Sequence, residues 1–192
     1  MKINKAALPR IFLIACAFLL ATLFVLPLWR ITLKAPQYPD GVHMHIHINK
    51  IDGAEPGTLQ NVNILNHYIG MRPIEPDSIP ELKYMPYIII GFIILALLTA
   101  YMDKKWWYVT WIGLFTVAML LGLYDFYLWE YAYGHDLDPK APMQFEDSFQ
   151  PPLIGKKTII NFVAISMPHV GGWLAILAAW LATFAAIIKF KT

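Results

Sequence analysis

Three histidines stand at alternate positions in Val42-His43-Met44-His45-Ile46-His47-Ile48. Period-two alternation is the pattern of a β-strand with one polar and one apolar face. On such a strand His43, His45 and His47 share one face, and Val42, Met44, Ile46 and Ile48 share the other. Same-face neighbours lie roughly 6.6–6.8 Å apart, a spacing from which imidazoles can converge on one ion. Neutral imidazole suits copper, zinc, nickel and iron, and a thioether tilts the choice toward Cu(I). The competing reading is a solvated strand face that happens to use histidine. Half of the six histidines in the chain fall within these residues, which weighs toward a metal site.

Two further groups carry possible chemistry. In Asn63-Ile64-Leu65-Asn66-His67-Tyr68-Ile69-Gly70-Met71, Asn63 and His67 are four apart and share a helix face. His67 with Met71 offers a nitrogen and a thioether to a soft metal; alternatively, His67 only satisfies the last carbonyls of a helix. The third group gathers at the rim of the apolar segments: Arg30, Asp125, Glu130, His135 and His169. Ionisable side chains at the edge of hydrocarbon are functional candidates. The alternative is an Arg30 pairing with Asp125 or Glu130 that fixes helix packing.

These groups need elements to hold them. Of 192 residues, 58% are hydrophobic and 15% charged, with mean hydropathy +0.50. That excess of apolar surface points to the membrane class. A span needs roughly 20 apolar residues. Four segments meet or approach this: residues 11–29, 86–102, 106–129 and 158–188. Pro168 interrupts the last, which reads as a kinked or interfacial lead-in helix over 158–167 and a span over 170–188. Gly171-Gly172 would let another helix approach closely. Cys16 closes the lipoprotein-like string Leu13-Ile14-Ala15-Cys16. Too short an apolar core precedes it, and the apolar run continues past it, so an uncleaved anchor is expected.

Lys2, Lys5 and Arg10 precede the first span, Lys104 and Lys105 fill the turn after the second, and Lys189 and Lys191 follow the fourth. Only one acid, Asp103, keeps them company. This bias predicts a multi-pass protein of the bacterial inner (cytoplasmic) membrane with both termini cytoplasmic. All six histidines then lie outside. The expected fold is a membrane all-α four-transmembrane-helix bundle with a small α+β extracytoplasmic module between the first and second spans. Its divisions are 1–30, 31–85 for the His-rich module, 86–130, 131–157 for an extended outer loop, and 158–192. Within the module the spacing predicts a strand over 42–48. It also predicts a helix from Thr58, carried by Leu59, Val62, Leu65 and Ile69 and stopped by Gly70.

Several chemistries are not encoded. There is no phosphate-cradling Gly-rich loop, HExxH or GxSxG, and the lone cysteine excludes CxxC and CxxCH. No basic nucleic-acid patch is present. Neither nucleotide nor nucleic acid is expected as a partner.

The strings YPDGVHMHIHINKIDG, LNHYIGMRPI, FQPPLIGKKTIINF and SMPHVGGW resemble an uncharacterised family of small membrane proteins. Its members are encoded beside nitrous-oxide reductase genes and copper-handling accessory proteins. The resemblance implies a role in assembling a periplasmic copper enzyme, or in supplying it with copper or electrons. The combined expectation is a non-catalytic accessory protein that binds copper outside, through His43, His45, His47, His67 and Met71, beside a periplasmic or membrane protein partner. A structural or interaction subunit is the alternative. A haem-binding redox subunit using His169 ranks last, because it needs two suitably facing histidines.

Overall fold

Apolar helices with few charges bury or shed their side chains according to what surrounds them, and here they do both. The computed structural model describes residues 7–142, 150–159 and 162–192. Helix α1 (Leu8–Ala21) continues as a single 3-10 turn, Thr22–Phe24. Strands β1 (Trp29–Ala35), β2 (Tyr38–Ile46) and β3 (Ile51–Gly53) follow, then α2 (Thr58–Ile69). Helices α3 (Glu81–Met102) and α4 (Lys105–His135) come next, then strands β4 (Gly155–Ile159) and β5 (Phe162–Pro168), and finally α5 (Val170–Lys191).

The all-α, four-span expectation is overturned in two ways. Among the described residues, five strands form one antiparallel sheet in the order β3-β2-β1-β5-β4. Among the described residues, three helices, α3, α4 and α5, are long and apolar enough to cross a membrane, and the described part of α1 with its 3-10 turn falls short. The first apolar run ends early because Pro27 lacks an amide donor and disfavours helix before it. Val25 to Leu28 become a connector, and Trp29 and Arg30 open β1. The expected lead-in helix over 158–167 is β4 and β5 instead. Its Thr158, Ile159, Val163 and Ile165 are β-branched and pair as strands. The sheet therefore draws strands from both sides of the α3–α4 hairpin and is not a module confined to 31–85. Lys2, Lys5 and parts of the 131–157 loop and the 158–167 segment lie outside the described residues.

Helix α1 is the centre of the apolar bundle. Its Leu13, Cys16, Ala17 and Leu20 are buried against α3 and α5. The facing stripe of α5 is small: Gly171, Ala175, Ala178, Ala182 and Ala185. Small side chains let helix backbones approach closely, and the Cys16 thiol reaches the Ala178 carbonyl at 3.1 Å. Trp111 of α4 packs on Phe92 and Phe115 and donates its indole N–H to the Phe92 carbonyl. Outside, Ile94, Leu98, Leu114, Val117, Leu121, Leu177 and Phe184 remain exposed, as on a lipid-facing surface.

The sheet sits at one end of this bundle. Its apolar face carries Ile31, Met44, Ile51 and Ala164 and packs on α2 and on Phe126, Trp129 and Tyr133 of α4. Helix α2 ends where Gly70, at φ 80°, takes the left-handed cap that glycine favours. The opposite end of the bundle is closed by charge. Asp103, the sole residue with a left-handed backbone that is not glycine among those described, joins α3 to α4. Its carboxylate accepts from Arg10 at 2.7 Å, Lys189 at 2.6 Å and Tyr108 at 2.9 Å. The starts of α1 and α4 and the end of α5 thus meet on one anion.

Burial pushes the Asp103 carboxyl up, but the hydrogen bonds from Arg10, Lys189 and Tyr108 outweigh it and hold it at about 2. A depressed carboxyl contributes stability above its unfolded value of about 3.9, and that contribution is lost as pH falls toward 2. Asp103→Asn should therefore lower the thermal midpoint in detergent by several degrees, reflecting loss of about 2 kcal/mol of charge-assisted hydrogen bonding. The deficit should shrink as the comparison moves from neutral pH to below pH 3. An unchanged midpoint at neutral pH would refute the clasp.

Candidate metal-binding histidine cluster

A residue and its antiparallel partner point to the same side of a sheet. The register pairs His45 with Asp52 on β3 and with Arg30 on β1, and Arg30 with Met167 on β5. Asp52, His45, Arg30 and Met167 therefore form one row across four strands, on the face opposite the apolar core. The next row holds His43, Thr32 and Ile165.

The three alternating histidines have separate environments. His43 Nδ1 shares a hydrogen bond with Thr32 Oγ1 at 2.9 Å. His45 lies against His169, with ring centroids 5.0 Å apart and planes inclined at 50°. His47 stands one residue past the end of β2 and is 7% exposed. Its Nε2–H donates to Asp52 Oδ1 at 3.1 Å, and Lys50 holds the other Asp52 oxygen at 2.5 Å. A neutral imidazole that donates through Nε2 keeps its lone pair on Nδ1. That Nδ1 is buried without a hydrogen-bond partner among the described residues, and so is Nδ1 of His169. An imidazole oriented by a carboxylate, with its second nitrogen bare, is the arrangement metal-ligating histidines adopt.

Leu28 builds this cluster. Its N–H donates to the Ile46 carbonyl at 2.8 Å, and its carbonyl accepts the His169 amide at 2.9 Å. The end of β2 and the start of α5 are thereby fixed on either side of one residue. Gly171 and Gly172 permit the approach, because a Cβ on them would lie 2.7 Å from the Pro27 carbonyl oxygen and 2.4 Å from that of Leu28. The element that closes on the two glycines is a non-helical connector rather than another helix.

The other expected residues lie elsewhere. His67 is exposed on α2, and Met71 is buried with Ala164 on the apolar side of the sheet, so neither joins His45. His135 is exposed at the end of α4, stacked on Tyr131. Asp125 is exposed, and Glu130 is buried at 1%. No ion pair joins Arg30 to either acid among the described residues. No group of three or more His, Cys, Asp or Glu side chains already converges on a single point among the described residues. Sequence spacing missed Asp52 and Met167 as neighbours of His45. The turn signal at Asp52-Gly53 predicted a return of the chain but not its register.

Burial, and next the charge of His169, hold the His45 imidazole below its usual range; burial and then Arg30 do the same for His169. Each lowered value favours the neutral ring in the folded protein. Stability from these groups is complete above the unfolded value of about 6.5 and falls as pH drops toward the folded values. In chelator-treated protein, both rings should titrate below 6.5 by side-chain NMR. His169→Gln should move the His45 midpoint upward, and an unmoved midpoint would show that the two rings do not interact.

Comparison with family models, curated proteins and solved structures finds no match to this chain.

Proposed function

We propose that this protein is a membrane-anchored accessory protein that binds a transition metal, with copper favoured, on the periplasmic side of the bacterial inner membrane. It changes no covalent bond in a substrate, and it passes its ion to a periplasmic or membrane-bound partner. The resemblance noted in the sequence suggests a copper enzyme such as nitrous-oxide reductase as the beneficiary. One observation carries the metal reading: the bare Nδ1 atoms of His47 and His169 lie at the same end of the sheet as His45, and Asp52 orients His47. His45, His47 and His169 would hold the ion. Rotation of the half-buried His45 and His169 side chains brings their rings onto it beside the buried, Asp52-oriented His47. Met167, exposed on the same face, offers a thioether to the approaching or departing ion. The haem alternative draws less support, because rings in tilted contact leave no slot between them for a macrocycle.

The orientation rests on charge. Arg10, Lys104, Lys105, Lys189 and Lys191 gather at the Asp103 end, away from the sheet. Such bias favours the cytoplasm for that end, so the sheet and its histidines face the periplasm.

Full-length protein purified in detergent should bind about one equivalent of Cu(I) after reconstitution. His45→Ala and His169→Ala should each weaken binding by roughly tenfold or more, in the range seen when metal-site contacts are removed, whereas His67→Ala should leave it unchanged. No copper above background in the parent protein would sink the metal reading. A reporter that works only in the cytoplasm, fused after Thr192, should be active; silence, with a periplasmic reporter active at the same position, would reverse the orientation.

A further inference from the structure

On the other side of the sheet, away from the histidines, a cavity of about 60 Å³ opens between β1, β2, β5, α2 and the last turns of α4. Met44, Asn66, Met71, Trp129, Glu130 and Tyr133 border it. The rest of the wall is almost wholly apolar. Glu130 is the anomaly. It is 1% exposed, and neither carboxyl oxygen has a hydrogen-bond partner among the described residues. Both methionines are buried as well, Met44 at 2% and Met71 at 8%.

An unpartnered carboxyl in an apolar interior takes up a proton, or it is compensated by a cation or a hydrogen bond when ionised. Among the described residues, no base lines this cavity. A hard cation would lose too many oxygen ligands here, since the hard divalent ions need six or more. Thioethers are soft donors that select Cu(I)-like ions, and a neighbouring indole face adds attraction for a cation.

We propose that this cavity is a second binding site, taking one soft monovalent metal ion through the Met44 and Met71 sulfurs with the Glu130 carboxylate as its charge partner. Trp129 and Tyr133 shield the ion from water. The site uses none of the residues of the histidine cluster, so the two readings stand or fall separately.

Ag(I), which is redox-inert and soft, is the probe. The full chain in detergent, with 13C-methyl-labelled methionine, is titrated with Ag(I) and followed by methyl NMR. The Met44 and Met71 resonances should shift together and saturate at one equivalent, and they should still do so in His45→Ala/His169→Ala protein. Met44→Leu/Met71→Leu keeps side-chain volume and should remove that equivalent. Glu130→Gln keeps shape without charge and should weaken it at least tenfold. Methionine resonances at both positions that stay unmoved in the parent protein would overturn the proposal without recourse to any variant. So would full retention of the equivalent in the double leucine variant.

Discussion

The structure depends on the junction at Leu28. A five-stranded sheet and an apolar helical bundle have incompatible periodicities, and they share only a few backbone groups. Leu28 gives its N–H to the end of β2 and its carbonyl to the residue before α5, while Pro27 accepts the Gly171 amide. These bonds satisfy amides that a helix start otherwise leaves unpaired. They also settle where α5 begins, and with it the position of His169 beside His45. Glycines at 171 and 172 are the steric condition for the junction, since a side chain at either would collide with the connector's carbonyls.

From this junction the sheet presents two unlike faces. One is apolar and is covered by α2 and the projecting turns of α4. The other carries a cross-strand row of Asp52, His45, Arg30 and Met167. Helix α4 can serve both the bundle and the sheet because of its length: 31 residues at about 1.5 Å each exceed a hydrocarbon core of about 30 Å. Its excess carries Trp129, Glu130 and Tyr133 under the sheet. That explains why Glu130 is buried in a cavity rather than placed at a lipid rim.

Charge separates the two ends of the molecule. At one end Asp103 gathers two cations and a phenol from three helices into one clasp. At the other end Asp52 orients His47, and burial favours the neutral forms of His45 and His169. Neutral rings with bare nitrogens suit metal ligation, and acidification works against both the rings' contribution to stability and their lone pairs.

Local features were legible in the chain. Period-two alternation specified β2, and the spacing from Thr58 to Gly70 specified α2 and its stop. Hydropathy specified α3, α4 and α5, because apolar length is a property of the chain alone. Hydropathy did not reveal that the first apolar run stops short, since it gives no weight to the local break at Pro27, and the demand for a strand partner acts through the fold. It also misread 158–167, where an apolar segment of ambiguous period became β4 and β5 only because β1 offered an edge to pair with. The histidines were legible as chemistry, but their grouping was not. Alternation placed His43 with His45 and His47, whereas the fold sent His43 to Thr32 and His47 to Asp52. It brought His169 to His45 from more than a hundred residues away. Spacing along a chain predicts which residues share a face of one element. Which elements meet is decided by backbone hydrogen bonds and close packing between distant segments, and only the tertiary structure contains those.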